Sequence, residues 1–74
     1  MEEKILEIIN AIRAAKGLEP IAELQKENRL REDLSLTSFD LAELTVKIED
    51  EYDIDIFEDG LVTTIGEIYA KLSK

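Results

Sequence analysis

The chain has 74 residues, a formal net charge of −9, and neither Cys nor His. That length folds one small domain, and its 33 apolar residues, ten of them Ile and ten Leu, can furnish a core without disulfides. The missing thiols and imidazoles exclude Ser–His and Cys–His catalysis and zinc sites of sulfur and imidazole.

Four helical signals follow one another, and no strand is expected. The first runs from Glu3 to Lys16, with Ile5, Ile8, Ile9, Ile12 and Ala15 on one face and Gly17 as its stop. From Gly17 to Leu36 the periodicity breaks. Pro20 can open a short turn carrying Ile21 and Leu24, while Leu30 and Leu34 read as apolar pins holding a long connection to the core. A loop of some twenty residues is unusual in a compact domain and is often functional.

The second helix is expected from Leu36–Ser38 to Glu51–Tyr52, capped by Thr37 or Ser38, with Asp40 complementing its positive end. Ile54 and Ile56 then alternate with Asp53 and Asp55. With no second strand to pair with, this stretch reads as an extended loop whose isoleucines plug the core. A short helical turn is expected around Glu58–Val62. Thr64-Ile65-Gly66-Glu67 fits a capping box, and Ile65, Ile68, Tyr69 and Leu72 form the buried stripe of the last helix. The fold expected is an all-α, small four-helix bundle over residues 1–74, with three main helices, one short one and a long first loop.

At 100° per residue, Leu41, Leu44, Thr45, Ile48 and Tyr52 share one side of the second helix and form its core stripe. Phe39, Ala42 and Val46 fall on the opposite side, among Glu43, Glu49 and Asp50. A bundle this small can bury only one stripe. The second therefore reads as an apolar strip fringed by carboxylates, suited to a groove edged with Lys or Arg. In the competing arrangement Phe39 or Val46 packs beneath the long loop.

The charge is as uneven as the apolar pattern. Residues 1–31 carry six acids and six bases, whereas residues 32–74 carry twelve acids against Lys47, Lys71 and Lys74. A field of that sign repels nucleic acids and anionic membranes and attracts basic protein surfaces. No basic segment precedes an apolar run, and none of the apolar runs reaches the ~20 residues of a membrane span, so a cytoplasmic chain is expected.

No metal site is expected. The acidic run Asp53–Gly60 departs from a calcium loop, with Phe57 at its fifth position, Glu58 where the sharp-turn Gly belongs and Thr64 in place of the bidentate Glu. Among the hydroxyls, Ser38 combines a helix start, the end of the long loop and proximity to the apolar strip. An anion attached there would meet free backbone N–H groups. A serine at a helix start is also an ordinary cap.

The segment Leu30-Arg31-Glu32-Asp33-Leu34-Ser35-Leu36-Thr37-Ser38-Phe39-Asp40-Leu41-Ala42-Glu43-Leu44 resembles the acyl carrier protein family where its long loop enters its second helix. Glu49-Asp50-Glu51-Tyr52-Asp53-Ile54-Asp55-Ile56 is similar to the acidic-aromatic run that follows in that family. Thr63-Thr64-Ile65-Gly66 is similar to its entry into the final helix. The resemblance spans nearly the whole chain. It departs at Ser35 and Asp53, which stand for Gly, at Thr37, which stands for Asp, and at Phe39, which stands for Leu.

The resemblance implies a carrier rather than an enzyme. Ser38 would bear a covalent 4′-phosphopantetheine derived from coenzyme A, and acyl or aminoacyl groups would ride on it as thioesters. The departures favour a specialised carrier over the housekeeping one of fatty acid biosynthesis. Implied partners are a phosphopantetheinyl transferase and acyl-activating and acyl-transferring enzymes with basic docking surfaces, met by a monomer through Phe39, Ala42, Glu43, Val46, Glu49 and Asp50. The prosthetic group brings the thiol, which suits a chain without Cys. An unmodified helical adaptor that binds basic proteins through the second helix is the alternative.

Overall fold

The computed structural model of the protein describes residues 2–58, 60 and 62–73. Helix α1 (Glu2–Ala15), α2 (Ser38–Tyr52) and α3 (Ile65–Leu72) follow in order, with no strand among the described residues. One core gathers Ile5, Ile9 and Ile12 of α1, Leu44 and Ile48 of α2, and Ile65 and Ile68 of α3.

Isoleucines at helical spacing give α1 its buried face, and α1 packs against α2 along it. Ala15 was expected on that face and is exposed. At 100° per residue it lies about 70° from the centre of the isoleucine arc, on the helix flank. The helix closes in a Schellman motif. The Gly17 N–H donates to the Ala14 carbonyl (3.0 Å) and the Leu18 N–H to the Arg13 carbonyl (3.0 Å). Gly17 sits at φ +79°, the left-handed conformation that glycine adopts without strain.

The long loop is anchored by more than its leucines. Leu30, Leu34 and Leu36 are buried in the core, and Ile21 and Leu24 pack against it. The Asn10 side chain pairs with the Ile21 backbone, donating to its carbonyl (2.9 Å) and accepting from its N–H (2.8 Å). The Arg13 guanidinium donates to the carbonyls of Leu34 (2.6 Å) and Glu19 (3.1 and 3.2 Å). A backbone seam then joins the loop to the start of α3. The Leu30 N–H donates to Thr63, Ile65 to Asn28 and Gly66 to Lys26, at 2.9–3.0 Å. Glycine suits position 66, because a Cβ would lie 3.2 Å from the Lys26 carbonyl oxygen and press the seam apart by a few tenths of an ångström.

After α2 the chain turns at Asp53, which is left-handed at φ 58°. Ile56 is fully buried but Ile54 is only half-buried, so one isoleucine of the pair plugs the core rather than both. The backbone leaves the extended path at once and turns at 56–58, which removes the common face that alternation implied. Asp55 Oδ1 accepts from the Phe57 N–H (2.9 Å), and the Glu58 N–H returns to the Asp55 carbonyl (3.2 Å). The described residues thus show turns here and no fourth helix. The turn expected at 58–62 includes Asp59 and Leu61, which lie outside the described residues. The capping box expected at α3 is present, with Thr64 and Glu67 bonded in both directions.

Candidate functional site

Ser38 is the first residue of α2, exposed at the point where the long loop becomes helix. Thr37, at φ −88° and ψ 174°, is the N-cap. Its hydroxyl accepts from the Asp40 N–H (3.2 Å) while Asp40 Oδ2 accepts from the Thr37 N–H (2.9 Å), a complete capping box. The cap is therefore Thr37, which leaves the Ser38 hydroxyl outside the helix's own hydrogen bonding.

Asp40 does more than complement the helix end. Its residue is only 6% exposed, and Oδ2 also accepts from Lys16 Nζ at 2.6 Å. Hydrogen bonding from Lys16, then from the Thr37 backbone, holds the carboxyl below the ordinary aspartate range and outweighs the opposing effect of burial. The same ammonium donates to the Ser35 carbonyl (2.5 Å), where Ser35 is left-handed at φ 59°. One cation just past the end of α1 thus fixes the last turn of the loop and the first turn of α2. No sequence signal marks Lys16 for this, since it lies 24 residues from Asp40.

The hydroxyl of Ser38 has one described partner, Arg31, whose Nη1 donates to its Oγ at 3.1 Å. Arg31, Ser38, Leu41, Ala42 and Phe57 line an open cleft of about 270 Å³. The N–H groups of Ser38 and Phe39 lie in the first helical turn, where no intrahelical carbonyl reaches them. Every donor around Oγ suits an anion, and among the described residues no carboxylate bonds to Ser38. The environment fits a phosphodiester esterified there, because phosphate needs donors and positive charge and finds both.

The strip on the far side of α2 is open. Phe39 is 79% exposed and Val46 58%, and Ala42, Glu43, Glu49 and Asp50 are exposed beside them. Neither Phe39 nor Val46 is covered by the loop. Opposite them Leu44 and Ile48 are fully buried, with Leu41, Thr45 and Tyr52 half-buried at the stripe's edges. The structure thus brings Ser38, Phe39 and Ala42 together at the start of α2, with Glu43 and Val46 following and Glu49 and Asp50 further along. Leu41, expected on the core stripe, lines the cleft from α2, and Arg31 and Phe57 complete it. These two had no signal in the sequence, because their positions depend on the path of the loop and of the chain after α2.

No family model matches the chain. Over 75 aligned positions it is 32% identical to the meromycolate extension acyl carrier protein of Mycobacterium tuberculosis (strain ATCC 25618 / H37Rv), covering 99% of this chain and 64% of that protein. It is 31% identical to the protein of the same description from Mycolicibacterium smegmatis, covering 99% of this chain and 75% of the relative. The acyl carrier protein of Rhodococcus erythropolis is 29% identical over 99% of this chain and 81% of its own length. The chain spans 64% of the length of the Mycobacterium tuberculosis relative.

Proposed function

The chain belongs to the acyl carrier protein family, and from that premise we propose that it tethers acyl groups for other enzymes and catalyses no reaction itself. The observation that carries this reading is the exposed Ser38 hydroxyl at the first position of α2, on the same helix as the uncovered strip of Phe39, Ala42 and Val46. Ser38 is the attachment residue for 4′-phosphopantetheine. The group supplies a terminal thiol, on which an acyl or aminoacyl cargo is held as a thioester. Loading forms an ester bond from Ser38 Oγ to the phosphorus of the pantetheine half of coenzyme A. It breaks the pyrophosphate P–O bond of that donor and releases its nucleotide half as a phosphate-terminated leaving group, while Oγ gives up its hydrogen. The chain offers Oγ only a cationic donor, so the proton leaves to a base on the modifying enzyme.

The rest of α2 is the docking face. Phe39, Ala42 and Val46 fill an apolar groove on the partner, and Glu43, Glu49 and Asp50 face basic residues at its rim. The carrier works as a monomer, meeting a phosphopantetheinyl transferase once and acyl-activating and acyl-transferring enzymes in turn. The departures at Ser35, Thr37, Phe39 and Asp53 favour a specialised carrier.

Intact mass after incubation with coenzyme A, magnesium and a broad-specificity phosphopantetheinyl transferase tests the assignment. The wild-type chain gains one phosphopantetheine, and Ser38→Ala gains none while keeping its helical circular dichroism. Equal labelling of the Ala variant moves the site to another hydroxyl such as Ser35 or Thr37. No labelling of either favours an unmodified adaptor that uses α2 for binding alone.

A further inference from the structure

Arg31 is the one basic residue with a described contact to Ser38, in a chain whose net charge is −9. Its Nη1 donates to Ser38 Oγ at 3.1 Å, and it makes no ion pair among the described residues. The other cations of this region are committed elsewhere. Lys16 pairs with Asp40 at 2.6 Å and Arg29 with Asp33 at 3.6 Å, while the Arg13 guanidinium is spent on loop carbonyls. A guanidinium carries five N–H donors in a planar fork. One is used on Ser38, and the fork is left without an anion at the one hydroxyl proposed to gain a phosphate.

The backbone under Arg31 is fixed. Leu30 is fully buried and its N–H donates to the Thr63 carbonyl at 2.9 Å. The turn that follows is closed by the N–H groups of Asp33 and Leu34, both donating to the Arg29 carbonyl (2.9 and 3.2 Å). Ser38 is fixed from the other side by the capping box and Lys16. Two rigid segments therefore face each other across a cleft, with a cation on one and the attachment oxygen on the other.

Resting on the Ser38 assignment, we infer that Arg31 is a positioning residue that pairs with the phosphodiester at Ser38 and holds the root of the arm in the cleft lined by Leu41, Ala42 and Phe57. In the unmodified chain the guanidinium bonds to Oγ as acceptor, which leaves the hydroxyl hydrogen turned away from Arg31. After loading, the same donors face the non-bridging phosphate oxygens, as a bidentate pair. A new negative charge enters a half of the chain where acids outnumber bases twelve to three, and Arg31 offsets it locally.

Wild type, Arg31→Gln and Arg31→Lys are compared as apo and phosphopantetheine-loaded proteins, with loading verified by intact mass and Ser38→Ala as the unloaded control. In the wild type the Arg31 Nε–Hε resonance shifts on loading and returns toward its apo position as salt is raised to about 0.5 M, where charges a few ångströms apart are screened. The phosphorus-31 resonance of the loaded protein moves in Arg31→Gln and stays nearer the wild-type position in Arg31→Lys. The melting temperature of the loaded form falls relative to apo by a few degrees more in Arg31→Gln than in the wild type. An Arg31 resonance unchanged by loading, with a phosphorus-31 signal indifferent to Arg31→Gln, overturns the pairing and leaves Ser38 as the attachment site. A wild type that never loads, or a Ser38→Ala variant that loads equally, removes the attachment assignment and the pairing with it.

Discussion

Replacing Asp40 by Asn tests how the attachment turn is held. The carboxylate is buried, accepts from Lys16 Nζ at 2.6 Å and from the Thr37 N–H at 2.9 Å, and completes the cap of α2. Asn retains an acceptor oxygen for Thr37 and loses the charge that Lys16 pairs with. A hydrogen bond to a charged group is worth roughly 1.5–3 kcal/mol. The Lys16 side chain is 29% exposed and rehydrates when released, so the loss sits at the low end, about 1–2 kcal/mol. Asp40→Ala also removes the acceptor of the Thr37 N–H while the Thr37 hydroxyl keeps its bond to the residue-40 N–H, a further loss of roughly 0.5–1.5 kcal/mol for a total of about 1.5–3.5 kcal/mol. At ~4–8 °C per kcal/mol for a domain of this size, Asn lowers the melting temperature by roughly 5–15 °C.

The pH dependence has a definite sign. The folded pKa of Asp40 lies below its unfolded value, so its contribution is complete at neutral pH and fades as pH falls through the lower, folded value. Thermal melts followed by circular dichroism, for wild type, Asp40→Asn, Lys16→Met and the double variant, measure both effects. The gap between wild type and Asp40→Asn is full at pH 7 and narrows along the acid limb, and the double-mutant cycle gives a coupling of about 1 kcal/mol or more. A gap that stays constant into acid, or a cycle that adds without coupling, refutes the Lys16 clamp.

The remaining predictions concern the two faces of α2 and its charge. Ile48→Asp unfolds the domain, because a fully buried position must then take a carboxylate, whereas Val46→Asp changes stability by no more than about 0.5 kcal/mol and slows loading by the transferase. The opposite pattern in denaturation and loading assays would show the faces assigned backwards. Glu43→Lys with Asp50→Lys slows loading chiefly through association, most visibly at low ionic strength, and leaves the helical circular dichroism intact. Equal rates at every salt concentration would remove these acids from docking. Moderate salt or millimolar magnesium raises the melting temperature by screening the crowded carboxylates of residues 32–58, and a flat response would mean they are already offset.

Local chemistry made much of the fold legible. The isoleucine spacing of α1, Gly17 as its stop, a cap at Thr37 or Ser38 and the Thr64–Glu67 box all act within one or two helical turns. The exposure of Phe39 and Val46 followed from a similarly short-range fact, since a helix in a small bundle cannot bury opposite sides. What stayed hidden joins residues far apart in sequence. Lys16 meets Asp40, Asn10 meets Ile21, and the Leu30 N–H meets Thr63, while the Arg31–Ser38 contact depends on how the irregular turn between them folds back. Ala15 and Ile54 failed for a related reason. A periodic pattern assumes that the helix or extended segment continues, and each lies where its element turns aside or presents a flank.

The seam between the loop and α3 also orders the assembly of the domain. The N–H groups of Leu30, Ile65 and Gly66 are all held by bonds that bridge residues 26–30 and 63–66. None of these bonds can form until both ends of a span of more than thirty residues have met, so closing it costs chain entropy that local helix formation does not. Helices α1 and α2 can pair first through Ile5, Ile9, Leu44 and Ile48, with the loop between them tied to α1 by Asn10 and Arg13, while residues 26–30 gain their seam partners only when α3 docks. The seam is therefore among the last features to form during folding and the first to open when α3 detaches.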